Sequence, residues 1–287
     1  MENIVVVVPT CREEQIKKFK KAWKDQFNKY KVGLVVIHDG EDPTIEYDEV
    51  DYWKCSEYME ENKDLISNRN SGIRNLGLAF VFKSNEPPEY IISLDDDLEP
   101  LGDTIGDHLK TLNQRVPISW MPVGTEYTRG FPYGIREEAE VVLSHGVWEG
   151  IKDYDAATQI VRGNPDMEFY KMTIPKGVYA PICGMNVAFK RKAIPYMYWT
   201  PRCEGVDRFE DIFMGITAKR EFDKRNWAIV TGYAKVNHAK LSNPFKNLQK
   251  ESLGVELNET FWQGDESHPY FKIYKEKRKR WKEFLEK

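Results

Sequence analysis

Residues 4–8, Ile-Val-Val-Val-Val, form an unbroken β-branched run that stops at Pro9-Thr10. Apolar side chains at every position, rather than every second one, leave such a strand no face for water. It must be covered on both sides, which places it in a parallel sheet between helical layers. The next ninety residues supply those layers. Ile16, Phe19, Trp23 and Phe27 recur at helical spacing, and Leu34-Val35-Val36-Ile37 is a second buried strand ending at His38-Asp39-Gly40. Leu65, Ile66, Ile73, Leu76 and Phe80 predict a helix, and Tyr90-Ile91-Ile92-Ser93-Leu94 runs straight into Asp95-Asp96-Asp97. This is the order of an α/β domain with a mainly parallel sheet, whose ligands collect at the carboxyl ends of the strands. Thr10, Asp39 and the three aspartates all fall there.

Beyond about residue 120 the pattern is less periodic and richer in Gly and Pro, with short runs at 187–189 and 227–230. It predicts mixed sheet and long loops. Residues 1–269 are read as one domain, with a nucleotide-binding half over about 1–120 and a sugar or acceptor half over about 121–269. Residues 270–287 read as a basic amphipathic helix, with Tyr274, Trp281, Phe284 and Leu285 on one face; 272–287 hold eight Lys/Arg against three Glu. Such a helix packs on its own domain, or docks peripherally on a membrane or a partner subunit, a homo-oligomer included.

The formal charge of -4 and pI near 5.9 give no basic footprint for nucleic acid. No run approaches the ~20 apolar residues that cross a bilayer. Cys11, Cys55, Cys183 and Cys203 form no C-x-x-C pair, and the start shows no cleavable leader, so a reduced, cytoplasmic protein is expected. G-x-G-x-x-G, G-x-x-x-x-G-K-[ST], G-x-S-x-G and H-E-x-x-H are all absent, which argues against flavin or NAD as cofactor.

Three carboxylates at the end of an apolar strand repel one another. A divalent cation, Mn²⁺ or Mg²⁺, relieves that repulsion and can bridge to a nucleotide diphosphate, making Asp95 and Asp97 metal candidates and Asp95 and Asp96 nucleotide-sugar candidates. His238, after the apolar run 228–230, is a candidate third metal ligand; otherwise it is a structural histidine. Asp39 is placed to accept from a uracil or ribose, or else forms a turn with Gly40. Arg69, Asn70 and Arg74, near a helix start, are placed to reach phosphate or base, or else line a solvated face. Glu210-Asp211 is either a general base and sugar-hydroxyl acceptor or ordinary helix N-terminal charge.

The strings RGFPYGIREE, LSHGVWEGIKDYDAATQ, MTIPKG, CGMNVAFKR, RFEDIFMG and HAKLSNPFKNLQKE are similar to those of the plant reversibly glycosylated polypeptides, the UDP-arabinopyranose mutases. The likeness runs from VVVVPT to FWQGDE and stops short of the basic tail. It implies a GT-A (nucleotide-diphospho-sugar transferase-like) fold, a UDP-sugar substrate, Mn²⁺ or a similar ion, and interconversion of UDP-L-arabinopyranose with the furanose form. The family's acidic triplet falls on Asp95, Asp96 and Asp97. Its two arginines tied to glycosylation and mutase activity fall on Arg129 and Arg136, and its H-x-K-x-S-N-P string supports His238 as a ligand. EDIFMG and DDDLEP depart from the family's pattern, which leaves the sugar open.

The expected reaction breaks the anomeric bond to UDP, retains UDP on the metal, and returns the sugar to it in the other ring form. Arg129 and Arg136 would clamp the diphosphate or carry the sugar, with Glu210, Asp211 or Glu137 taking a proton. Transfer to an external acceptor and a non-catalytic UDP-sugar-binding scaffold are the alternatives.

Overall fold

Strand β1 (Ile4–Thr10) lies inside the sheet between two parallel neighbours, and Val6, Val7 and Val8 are wholly buried. The computed structural model describes residues 3–39, 51–53, 60–123, 127–165, 168–239 and 242–287. Gly40 and Cys55 fall outside these; Cys11, Cys183 and Cys203 carry free thiols.

Helix α1 (Glu13–Tyr30) leads to β2 (Gly33–His38) and the short β3 (Asp51–Trp53). Then come α2 (Arg74–Lys83), β4 (Tyr90–Leu94), β5 (Leu98–Leu101), α3 (Thr104–Leu112) and β6 (Arg115–Val116). The second half contributes β7 (Ala139–Gly150), α4 (Ala156–Arg162), β8 (Met172–Ile174), β9 (Asn186–Lys190), α5 (Glu210–Lys224), β10 (Trp227–His238), α6 (Pro244–Phe261) and α7 (Pro269–Glu286). The sheet order is β3-β2-β1-β4-β9-β7-β10-β5, with β6 on β7 and β8 on β10. Strands β1, β2, β3, β4, β7 and β10 point one way; β5, β6, β8 and β9 run against them. The sheet is therefore mixed, as the second half of the sequence suggests.

Alternation along β1 explains the two cores. Val5 and Val7 join side chains of α2, α5 and α7 on one face. Ile4, Val6 and Val8 meet Ile16, Phe19 and Trp23 of α1 and Ile105 of α3 on the other. Burying each such side chain contributes roughly 1.5–3 kcal/mol before entropy is counted. Helix α2 approaches so closely that a Cβ on Gly77 would lie 2.5 Å from Val7 Cγ1.

The helix expected from Leu65 onward starts later. Leu65 ends a separate 3-10 segment, where its carbonyl accepts from Tyr198 Oη at 2.8 Å. Arg69 adopts φ +59°, and Asn70 Oδ1 caps a new turn by accepting from Gly72 N–H at 2.9 Å. The apolar spacing had merged two elements. At the other end, α7 buries Tyr270, Phe271, Tyr274, Trp281 and Leu285 against its own chain, and Trp281 Nε1 donates to the Ile194 carbonyl at 3.1 Å. Its apolar face is thus covered. Among the described residues no helix is long and apolar enough to cross a membrane.

Candidate active site at the carboxyl edge of the sheet

A cleft of about 830 Å³ opens where β1, β2, β4 and β7 end. Each strand delivers side chains to it: Thr10 and Arg12 after β1, Asp39 after β2, Asp95 and Asp96 after β4, and Asp153 to Asp155 after β7. Arg69, Asn70 and Arg74 line one wall. Cys183, Gly184 and the start of α5, Asp207 to Ile212, line it next to them, with Ser71 Oγ reaching Glu210, and α6 adds Lys250, Glu251 and Asn258.

Two guanidinium groups meet the acidic triplet. Arg12 pairs with Asp96 through both Nε and its terminal nitrogen, and reaches Asp97 Oδ2 at 3.2 Å. Thr10 Oγ1 also donates to Asp96, whose side chain is almost fully buried. Arg74, itself buried, pairs with Asp95 Oδ1 while its Nε donates to Ser93 Oγ at 2.9 Å. The repulsion assumed among three bare carboxylates is therefore largely relieved by the protein's own arginines. Burial still raises the Asp95 pKa above the ordinary carboxylate range, against the opposing field of Arg74.

The start of α5 holds protons more readily. Burial pushes Glu210 up to about 7, with Asp211 and Asp207 adding to it, and pushes Asp211 up to about 6, with Asp153 adding to it. Glu210 Oε2 accepts from Ser71 Oγ at 3.3 Å, while its buried Oε1 has no partner among the described residues. Asp211 is fixed by Gly184 N–H at 3.2 Å and by Ile212 N–H at 3.0 Å. Glu251 accepts from Arg208 Nε at 2.8 Å and from Ala156 N–H at 2.7 Å, which pins the loop after β7 to α6. Arg69 and Arg208, both lining the cleft, are left-handed, with φ of +59° and +62°. Holding a non-glycine residue there costs about 1 kcal/mol, a strain typical of functional loops.

Thr10, Asp39, Asn70, Arg74, Asp95, Asp96, Glu210 and Asp211 are thus gathered in one cleft, as their sequence positions suggest. Asp39 and Asn70 are engaged as well: Asp39 accepts from Arg69 N–H, and Asn70 spends both side-chain ends on Gly72 and Ser67. Asp97 and His238 sit beside the cleft. His238 pairs across the sheet with Leu98, the residue after Asp97. The Ile151 carbonyl, 3.1 Å from His238 Nδ1, can only accept, so Nδ1 carries the proton and Nε2 keeps a lone pair. Two hard oxygen donors and a neutral imidazole suit Mn²⁺ or Mg²⁺. The donor types fit, although among the described residues no three such side chains are drawn together as a closed metal site.

Arg129 and Arg136 are elsewhere. Both precede β7, at the opposite end of that 12-residue strand from Asp153, on the order of 35 Å along the sheet. The Arg136 guanidinium lies 4.5 Å from the Tyr127 ring and 3.8 Å from the Tyr133 ring. Neither arginine is among the residues that line the cleft. Glu137, beside them, is equally remote.

A family model described as "Reversibly glycosylated polypeptide" matches residues 1–272. The chain belongs to the reversibly glycosylated polypeptide family. UDP-arabinopyranose mutase 3 of Arabidopsis thaliana is 31% identical over 94% of this chain and 78% of its own length. UDP-arabinopyranose mutase 1 of Oryza sativa subsp. japonica is 31% identical over 92% and 76%. Among solved structures, GalNAc-T7 with UDP, GalNAc and Mn²⁺ superposes with TM-score 0.50 at 10% identity, covering 99% of this chain and 54% of that one. A mycobacterial protein gives 0.50 at 14% identity, over 89% and 74%. The fold is GT-A.

Several cleft residues of this chain escape a reading of the sequence alone: Arg12, Asp153, Cys183, Arg208 and Glu251. Arg12 had a usable signal, lying two residues past a strand end. Arg208 had none, since its place depends on a left-handed backbone.

Proposed function

We propose that this chain interconverts the pyranose and furanose forms of a UDP-sugar, with UDP-L-arabinose the substrate that its relatives' names favour. One observation carries the reading: a single cleft brings arginines and proton-holding carboxyls together. Ring contraction needs both. The diphosphate must leave C1 and stay bound, and sugar hydroxyls must gain and lose protons.

Arg74 where Asp95 releases it, and Arg12 where Asp96 and Asp97 release it, present donors to the diphosphate. Arg69 and Arg208 also line the cleft. Asp95, Asp97 and His238 would hold a divalent ion, which when bound would neutralise charge on the departing diphosphate. Glu210 and Asp211 accept sugar hydroxyls and hold protons near neutrality. Any sugar carried on Arg129 or Arg136 would come from the cleft of another copy.

The test is incubation of purified protein with UDP-L-arabinopyranose and Mn²⁺, with ring forms resolved by NMR. A mutase yields the isomeric UDP-sugar at equilibrium. Slow release of free arabinose with no furanose form would instead favour transfer to an external acceptor, and no UDP binding in calorimetry would leave a scaffold.

A further inference from the structure

The reaction proposed above has a simple proton inventory. When a pyranose contracts, the C4 hydroxyl oxygen enters the ring and loses its proton, while the old ring oxygen on C5 leaves the ring and gains one. The bond from C1 to the old ring oxygen breaks and one from C1 to O4 forms. UDP leaves C1 with the bonding pair and returns to C1 at the end. No electron is gained or lost, and the net change in the sugar is one proton moved between two of its oxygens. Such a site needs one base and one acid at once, with the roles exchanged in the reverse direction. Two carboxyl groups sharing one proton satisfy that requirement.

We infer that Asp153 and Asp211 are this pair, an assignment that rests on the mutase reading of the cleft. They arrive from unrelated parts of the chain, the loop after β7 and the first turn of α5, and both line the cleft. One corner gathers them. Cys183 lines the cleft with Asp153, and the next residue, Gly184, donates its N–H to Asp211 Oδ2 at 3.2 Å. Gly184 also ties this corner to the diphosphate wall, since its carbonyl accepts from Ser93 Oγ at 2.8 Å and Ser93 in turn receives Arg74. Asp153 is open to the cleft, whereas Asp211 is half-buried at the base of α5. Alongside them Glu210 is 2% exposed, with Oε1 unpartnered among the described residues, a buried acceptor on the cleft wall.

The surroundings favour the protonated form of both carboxyls. Loss of hydration inside the walls of the cleft, although part of each side chain still meets solvent, raises both carboxyls above their ordinary range, and the charge of Asp153 raises Asp211 further. Arg208 pulls Asp153 down and Asp95 pushes it up; His238 and Cys183 are its other titratable neighbours. Arg74 and the N–H groups of Gly184 and Ile212 pull Asp211 down, and the neighbouring Glu210 shares its field. In turnover O4 would attack C1 as its proton passes to the ionised carboxylate. The C1–ring-oxygen bond would then break, and that oxygen would take the proton held by the partner carboxyl.

The experiment uses the full chain and three variants: Asp153→Asn, Asp211→Asn and Asp153→Glu. Each is assayed for kcat, KM and pH profile with UDP-arabinopyranose, and for UDP affinity by calorimetry. A UDP-sugar with a labelled bridging oxygen reports breakage of the bond from C1 to the diphosphate through label scrambling. Either Asn variant should lose roughly 10²–10⁴-fold in kcat. UDP affinity should stay within threefold, scrambling should persist, and one limb of the bell-shaped pH profile should vanish. Asp153→Glu should recover part of the turnover with a displaced limb. If wild type turns over while Asp153→Asn keeps kcat within threefold and both limbs, the assignment is wrong and the mutase reading stands. If wild type makes no furanose form, both fall.

Discussion

The two ends of β7 differ in kind. Past its carboxyl end the chain enters the cleft at Asp153, among Arg208, Asp211, Cys183 and the Arg74–Asp95 pair. Before its amino end, the chain lays Arg136 between Tyr127 and Tyr133, beside Phe131 and the half-exposed Trp120. The first end buries charge that the fold would rather not bury. The second exposes aromatic surface and satisfies its cation with ring faces. Parallel strands explain the division: their carboxyl ends supply convergent loops and α5 supplies a helix start, whereas the other edge has only connections.

The largest expected effect tests the charged end. Arg74 is buried and its partner Asp95 sits at the cleft surface, so removing the guanidinium strips the diphosphate wall and leaves a carboxylate unpaired. Arg74→Ala should lower kcat/KM by about 10³ and weaken UDP binding. Arg74→Lys keeps the charge but loses the fork, and should retain UDP binding better than turnover. Wild-type kinetics in both variants would reduce this end to scaffolding.

The aromatic end gives a different expectation. With the strand between them, Arg136 does not line its own cleft, so Arg136→Ala should act on stability through lost ring contacts, by about 1–2 kcal/mol. Any accompanying loss of turnover should be rescued by mixing with Asp211→Asn chains, each copy supplying what the other lacks. A kinetic loss that mixing leaves unrescued would require 127–136 to fold over β7 onto its own cleft, and the contrast between the two ends would collapse.

How far these ends could be read from sequence follows the same division. Thr10, Asp39 and Asp95 were legible because the strands before them are unbroken apolar runs, whose ends declare themselves. Asp153 was not, because β7 carries Ser144, His145 and Gly146 in mid-strand. Those polar groups are satisfied internally: His108 bridges Ser144 Oγ and Asn186 Oδ1 at 2.9 Å each, and His145 Nε2 accepts from Cys183 N–H at 3.1 Å. A strand stabilised by a buried polar network lacks the periodicity that reveals strands. The Asp triplet was placed correctly, yet the reason it is tolerated was incomplete, since Arg12 and Arg74 are recruited from 84 and 21 residues away. Only the mixed character of the second half, not β9's place between β4 and β7, could be anticipated.

The same network and the cleft titrate in opposite senses. Burial holds His108 and His145 down at about 4, so the unfolded chain takes up protons there first, and stability is lost as pH falls from about 6.5 toward 4. Glu210 is raised to about 7 from 4.5, so its ionisation costs the folded state stability above neutrality, and that loss is recovered as pH falls. Glu210→Gln mimics the protonated form. It should melt higher than wild type at pH 8, by an equivalent of about 1–3 kcal/mol, and the difference should shrink below pH 7. A gap independent of pH would mean that Glu210 is not a buried, titrating acid.

The smallest effect expected lies at α7, most of which extends past residue 272, where the family match stops. Arg280 and Lys277 reach Asp64, five residues before left-handed Arg69 on the cleft wall. This contact joins the basic helix to the charged end of the molecule. Yet Arg280 and Asp64 are 38% and 50% exposed, and ion pairs that open to solvent contribute well under about 1 kcal/mol once side-chain entropy and salt are counted. The weight of α7 is carried by Trp281, Tyr274 and Tyr270 in the core. Arg280→Ala should therefore shift the melting temperature by no more than about 2 °C and KM for the UDP-sugar by less than twofold. A tenfold rise in KM with an unchanged melting temperature would show that the Asp64 contact sets the position of the Arg69–Arg74 wall. The helix would then belong functionally to the cleft as well as structurally to the core.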